Sequence, residues 1–244
     1  MTKQTETPTE THTEINTVIG ILGAMREEIA QLTAALEQKT ETILHGITFY
    51  SGILQGKKVI IAQCGISKVN ATMTTVLLLE QGVTQLIFTG VAGGLVSGLK
   101  VGDIVISHDL LQHDVDVVAL GYPLGLIPDE TLTWQADPTL RDLALEVAQT
   151  IPNTIAVVGR IVTGDQFVAD PAKVAWIRKT FGGDCCEMEG AAVAQVASKF
   201  GVPFVVIRSL SDSADEGAKS TYVEWMPLVA RNAKAVVMGM LERM

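Results

Sequence analysis

Short apolar runs alternate with longer amphipathic segments along nearly the whole chain, and this alternation restricts the fold more than any other feature. Val18-Ile-Gly-Ile-Leu22, Gln85–Gly90, Ala156–Thr163 and Pro203–Ser209 are apolar runs of strand length, as expected of strands buried on both faces. Between them, Met25–Leu36, Ser67–Gln81, Leu140–Gln149, Pro171–Thr180, Ala191–Phe200 and Tyr222–Leu241 read as helices, with Pro171 placed at a helix start. Gly46–Leu54 and Lys58–Gln63 alternate in polarity around Gln55-Gly56 and predict a tight hairpin, and Gly102–Gln112 predicts a further strand. A hairpin within an otherwise α/β pattern makes the sheet mixed. The expectation is a single-domain three-layer α/β/α sandwich around a central mixed sheet.

The chain has 244 residues, 48% of them hydrophobic, enough for one large core. Residues 1–16 are rich in Thr and Glu and have no apolar stretch, so they predict a disordered tail, not a signal peptide, with the folded domain spanning 17–244. A net charge of −9 without a Lys/Arg cluster removes the electrostatic basis for binding nucleic acid or an anionic membrane, and no apolar run is long enough to span a bilayer. A small-molecule partner is expected. Cys64, Cys185 and Cys186 have neither disulfide-framework nor metal-ligand spacing, which predicts a reduced, metal-free, cytoplasmic protein. The connection from His113 to Trp134 is irregular and long, as functional or interfacial loops are.

Three stretches set carboxylates among small or apolar residues: Gly23–Glu28, Cys186–Gly190 and Arg208–Asp215. Such acids are costly unless paired or protonated, which points to a pocket with tuned pKa values. Each has a plainer reading. Glu27 and Glu28 open a helix, where the macrodipole favours negative charge. Glu189 stands where a helix could begin, and Glu187 would share its direction only in extended backbone. Asp212, among Ser209, Ser211, Ser213 and Asp215, suits an N-cap or Asx-turn, although it follows an apolar strand at the end where α/β ligands bind. Arg208, also at a strand end, needs acceptors if buried, and the carboxylates are the obvious ones. Thr89-Gly-Val-Ala-Gly-Gly-Leu95 reads as a glycine-rich turn without the basic or hydroxyl residues of a phosphate cradle. No G-x-G-x-x-G is present, which speaks against a dinucleotide fold.

Taken together, the motifs Ile21-Leu-Gly-Ala-Met-Arg-Glu-Glu28, Gly65-Ile-Ser-Lys-Val69, Thr89–Gly94, Val101-Gly-Asp-Ile-Val105, His113-Asp-Val-Asp116, Thr163-Gly-Asp-Gln-Phe167, Glu187-Met-Glu189 and Arg208-Ser-Leu-Ser-Asp212 resemble one family. It is that of the 5′-methylthioadenosine/S-adenosylhomocysteine nucleosidases of the purine nucleoside phosphorylase superfamily, and the likeness covers about Val18–Leu241. It implies a strongly twisted sheet, no cofactor, and hydrolysis of the bond between ribose and adenine. By the same resemblance Asp212 is the acid that protonates the purine, Glu28 the base on the attacking water with Arg208 nearby, and Glu189 the carboxylate on the ribose hydroxyls beside Met188. Phe167 would stack on adenine and the Val168 backbone would read its edge, with Val91, Ala92, Gly93 and Ser211 around the nucleoside. An oxocarbenium-like transition state is served by an acid on one side and a base with water on the other. Asp212 then has to keep or share a proton, which a dry pocket favours.

The family also implies a homodimer in which Ile66, Met25 and Tyr222 of one subunit and Val117, Leu120 and Pro128 of the other form the 5′-substituent pocket. Three positions depart from its pattern: Val91 where Ser is common, Leu120 and Tyr222 where Phe is usual. Two other readings stay open. A related phosphorylase or nucleoside hydrolase, such as a futalosine-type enzyme, would attack the same kind of bond, with Arg26 as the residue able to favour phosphate. A non-catalytic nucleoside-binding module would keep the pocket but release no adenine.

Overall fold

The computed structural model describes residues 17–212 and 218–244, the side chains of 218–223 and 226 excepted; the expected tail over 1–16, and Ser213 and Asp215, lie outside the described residues. In chain order the elements are β1 (Val18–Gly23), α1 (Arg26–Ala34), β2 (Glu37–Leu44), β3 (Ile47–Leu54), β4 (Lys57–Gln63), α2 (Lys68–Leu79) and β5 (Gln85–Gly94). There follow β6 (Ile104–Gln112), β7 (Trp134–Gln135), α3 (Pro138–Ala148), β8 (Ala156–Thr163), α4 (Pro171–Phe181), β9 (Cys185–Glu187), α5 (Gly190–Phe200), β10 (Phe204–Asp212) and α6 (Ala218–Arg243). Asp137 and Asp170 cap α3 and α4 by accepting from Leu140 N and Ala172 N, each followed by a proline whose missing N–H costs nothing there.

The sheet is mixed, in the order β10-β6-β8-β9-β5-β1-β4-β3-β2, with helices on both sides. β1 lies parallel to β4 and β5, and β10 runs parallel to β5 but antiparallel to β6. Because β10 pairs with both β5 and β6, the strands β10, β6, β8, β9 and β5 close into a ring at one end of the sheet. A twisting sheet that closes on itself leaves no free edge there. At the other end β2 is an edge strand.

Strand alternation assigns each side chain to a layer. On β10, Phe204, Val206 and Leu210 join the cluster that holds Phe88 of β5 and the α5 alanines, whereas Val205 and Ile207 join α1, α3 and α6. Arg208 has the parity of Val206 and therefore lies on the Phe88 side, its guanidinium carbon 4.0 Å from that ring's centroid. Ile177 and Phe181 of α4 pack with Leu95, Leu111 and Val162 in a smaller third cluster.

Three local expectations change. The stretch Glu37–Leu44 is a strand that polarity alone did not announce, since its side chains are almost all exposed. Thr89–Gly94 is not a turn but the continuation of β5. A β-carbon at Gly90 would stand 2.8 Å from Glu28 Oε1 and 3.1 Å from Arg208 Nη1, so the glycines let the strand pass close under charged side chains. Asp212 is the last residue of β10, beyond an irregularity in its pairing with β5. The hairpin turn at Gln55-Gly56 has both residues at positive φ, 48° and 71°, as its short loop requires.

Candidate active site

At the carboxyl ends of the parallel strands β1, β5 and β10 lies a cavity of about 260 Å³. Glu28, Arg208, Asp212 and Ser211 line it together with Met188 and Glu189. Met25, Ile66, Val91, Ala92 and Gly93 add to the wall, and Phe167 and Val168 come from the segment between β8 and α4. Val117, Leu120 and Pro128 do not line it: the first two flank or form a single turn of 3-10 helix, Val118–Leu120, and Pro128 is half-buried further along that connection. Tyr222 stands near the start of α6, and its side chain lies outside what is described.

Glu28 is buried at the third position of α1 and does two jobs. Its Oε2 accepts from Met25 N at 2.9 Å, closing the first turn of its own helix, while Oε1 accepts from Val91 N on β5 at 3.1 Å. Helix-start stabilisation and a place in the cavity thus belong to one side chain. Burial raises its pKa, opposed by the Arg208 charge and by these amides.

The two glutamates of Glu187-Met-Glu189 have separate fates. Glu189 is the N-cap residue of α5, but its side chain does not cap. The capping falls to Glu187, whose Oε2 accepts from Glu189 N at 3.2 Å and Gly190 N at 2.7 Å, while Oε1 accepts from the Thr163 hydroxyl. Arg208 completes the set, donating through Nη2 to Glu187 Oε2 at 2.7 Å. With side chains 1% and 3% exposed, this is a buried ion pair whose remaining valences are met, and losing one partner would cost about 3–5 kcal/mol. Burial works against the Arg208 charge, yet Glu187 and Glu28 together hold its pKa above the usual value.

Freed from capping, Glu189 turns to the cavity and accepts from Ser67 N at 2.8 Å. Burial, reinforced by the Glu187 charge, pushes its pKa up to about 8, against the pull of the Ser67 amide and Arg208. On the far flank of β5, the Ser211 hydroxyl donates to Asp212 Oδ2 at 2.7 Å. Glu28 and Asp212 therefore approach the same space from opposite sides of one strand, β5, an arrangement able to serve a base and an acid acting on two parts of one small ligand.

Residues 18–242 match the phosphorylase superfamily. A 5′-methylthioadenosine/S-adenosylhomocysteine nucleosidase of Psychromonas ingrahamii is 45% identical over 221 residues, which span 90% of this chain and 96% of that protein. The chain belongs to this nucleosidase family of the phosphorylase superfamily. A crystal structure of a nucleosidase of the same name from Colwellia psychrerythraea, in complex with adenine, has a TM-score of 0.89 at 39% identity, covering 93% of this chain and 95% of that one. The futalosine hydrolase of Helicobacter pylori, in a mutant form, has a TM-score of 0.89 at 38% identity, covering 93% and 100%.

Within this nucleosidase-family chain, four residues that line the cavity had no place in the expected site: Ala24, Gln166, Cys186 and Glu187. Ala24 and Gln166 each neighbour an expected residue, and Glu187 differs from Glu189 only through the helix start between them. Cys186 is an inert wall residue, its thiol pushed up to about 12 chiefly by burial. Arg26 faces a different pocket, between α1 and the β3–β4 hairpin, together with Lys39 and Thr48. Among the described residues no cluster of His, Cys, Asp or Glu is placed to hold a metal ion.

Proposed function

We propose that this chain hydrolyses the N-glycosidic bond of 5′-methylthioadenosine and S-adenosylhomocysteine, releasing adenine and the 5-thioribose product, as a step of methionine salvage. The observation that carries this reading is the convergence of Glu28 and Asp212 on one cavity from either side of β5, with Glu189 lining the same cavity. Glu28 is the base: amides on two elements fix its carboxylate, and burial makes it more basic than a solvated glutamate. Asp212 delivers or shares the proton that turns adenine into a neutral leaving group, with Ser211 orienting it. Glu189 takes the ribose hydroxyls, and the positive charge that develops on the sugar draws it from the protonated form toward the carboxylate that opposes that charge. Phe167 stacks on the base and the Val168 backbone reads its edge. Arg208 acts as a fixed charge, its Nη2 and Nε directed to Glu187, that keeps Glu28 from protonating too readily.

Hydrolysis is favoured over phosphorolysis by charge. With Asp212 holding its proton and the Glu189 pKa pushed up to about 8, Glu28 and Glu187 still outnumber Arg208 in the lining, and Arg26 faces elsewhere, so an entering phosphate meets net repulsion. Adenine release measured with and without phosphate tests this, and phosphate-dependent turnover would reverse it. A steady-state comparison of methylthioadenosine, adenosylhomocysteine, 5′-deoxyadenosine and futalosine ranks the 5′ groups; preference for futalosine would favour the Helicobacter pylori relative's activity instead.

The working form in this proposal is a homodimer. Support comes from apolar side chains left exposed around the cavity mouth and on the long connection: Ile66, Val69, Met73, Val118, Leu120 and Phe167. Val117, Leu120 and Pro128 would complete the 5′ pocket of the opposite subunit. Leu120→Asp should then shift the sizing profile from dimer to monomer and lower activity, whereas a fully active wild-type monomer contradicts the arrangement. The buried free thiols of Cys64, Cys185 and Cys186 fit a reducing compartment and support a cytoplasmic location.

A further inference from the structure

Ser67 has a backbone that the chemistry above does not require. Its φ of 87° and ψ of 155° fall in a region essentially reserved for glycine, which other residues occupy only where their surroundings over-determine them. Here the surroundings do so. The Ser67 hydroxyl donates to Asp165 Oδ1 at 2.5 Å, and the next amide, Lys68 N, donates to the same oxygen at 2.9 Å. Asp165 is itself anchored, its N–H donating to Asp114 Oδ2 at 2.9 Å, while Asp114 Oδ1 holds Lys68 Nζ at 2.7 Å. Ser67, Lys68, Asp114 and Asp165 form a closed set of contacts between the end of β6, the segment after β8 and the start of α2. From that set Lys68 Nζ also donates to the buried Gln112 Oε1 at 3.0 Å, and the bond that reaches the cavity runs from Ser67 N to Glu189 Oε1 at 2.8 Å.

We propose that Asp165 is a positioning residue which, by holding Ser67 in its strained conformation, fixes the Glu189 carboxylate for the ribose hydroxyls. The inference rests on the assignment of Glu189 to the sugar made above. It adds a link that neither residue shows alone: Asp165 precedes Phe167 by two positions, so the segment meant for the base also sets the group meant for the sugar. Without the Asp165 acceptor, Ser67 relaxes toward an ordinary φ and its amide swings away from Glu189. The carboxylate loses its one neutral donor from α2 and keeps the neighbours that burden it, burial and Glu187. The loss falls on hydroxyl recognition.

The test uses the full-length chain with Asp165→Ala and Asp165→Asn, assayed on 5′-methylthioadenosine and its 2′-deoxy counterpart, with amide exchange at Ser67 followed by NMR. Asp165→Ala is expected to lower kcat/KM on the ribonucleoside about tenfold, mainly through KM, and on the deoxy compound less than about twofold, since part of the Glu189 contact is already missing there. Asp165→Asn retains an oxygen that accepts both donors and should restore most of the loss. Ser67→Gly, at ease with φ 87°, should shrink the effect of Asp165→Ala when the two are combined. Exchange at Ser67 should quicken in Asp165→Ala and not in Asp165→Asn. Equal losses on the two substrates, or undiminished Ser67 protection in Asp165→Ala, overturn the proposal. If the wild type cleaves neither nucleoside, the proposed function falls, and the exchange comparison still decides the latch. Should Asp165→Ala fail to fold, Ser67→Ala, which removes the hydroxyl bond alone, meets the same substrate comparison with an expected loss of about threefold on the ribonucleoside.

Discussion

The inner wall and the rim of the cavity are built on different principles. Along the wall, Glu28, Glu187, Arg208 and Asp212 are buried and each is held by amides, hydroxyls or one another. At the rim, Ile66 and Phe167 are apolar and about half exposed, 50% and 54%, on segments ordered by polar contacts such as Ser67 to Asp165. Charge is thus placed by regular elements, the first turn of α1 for Glu28 and sheet register, which tolerates no slippage, for Glu187, Arg208 and Asp212, and shape by connections that can vary. Changes in the wall should strike turnover, and changes at the rim should strike affinity.

The largest effect expected from this contrast is on kcat. Glu28→Gln and Asp212→Asn each keep size and hydrogen-bonding capacity while removing the acid–base function, so each should lower kcat by about 10³-fold, with a thermal midpoint within a few degrees of wild type. Turnover near normal in either variant breaks the assignment of the wall. Next in size, Phe167→Ala should raise KM by about tenfold with kcat little changed, the value of one aromatic stack on a base. A fall in kcat without a rise in KM would move Phe167 from the rim's work to the wall's.

The same contrast explains what could be read from the sequence. Strands, helices and the hairpin followed from periodicity, and Asp212 and Arg208 stood out because polar residues ended an apolar strand run. Local pattern alone did not separate Glu187 from Glu189, and only the family resemblance singled out Glu189, because their roles depend on where α5 begins and on Arg208 arriving from a strand distant in sequence. Thr89–Gly94 looked like a turn because what demands its glycines, the approach of Glu28 and Arg208, is a contact between remote segments. The edge strand β2 carried no apolar face to announce it, since almost nothing there is buried. Local chemistry was legible, and contacts set by chain crossing were not.

A third prediction concerns the cost of the wall. Glu189 has a folded pKa of about 8 against an ordinary 4.5, so between those values the folded chain retains a proton that the unfolded chain has released. Its contribution to stability is then whole below pH 4.5 and falls as pH rises toward 8. Glu189→Gln escapes this cost and still offers an oxygen to Ser67 N. Its thermal midpoint should match wild type near pH 4.5 and exceed it by about 10 °C at pH 9, in a variant that has lost its ionisable grip on the ribose hydroxyls. A difference independent of pH would mean that Glu189 is not the buried acid described.

The smallest effect separates two neighbours. Glu27 and Glu28 both stand in the first turn of α1, both favoured by its macrodipole, yet Glu27 is exposed and Glu28 faces the cavity. One position along a helix is a rotation of about 100°, enough to turn a side chain from the wall to solvent. Glu27→Gln should therefore leave kcat and KM within about twofold of wild type under conditions where Glu28→Gln is nearly inactive. Steady-state kinetics on the two single variants make the comparison directly. If Glu27→Gln lost activity on the scale of Glu28→Gln, local charge at the helix start, not the fixed geometry of one buried carboxylate, would be what the reaction uses.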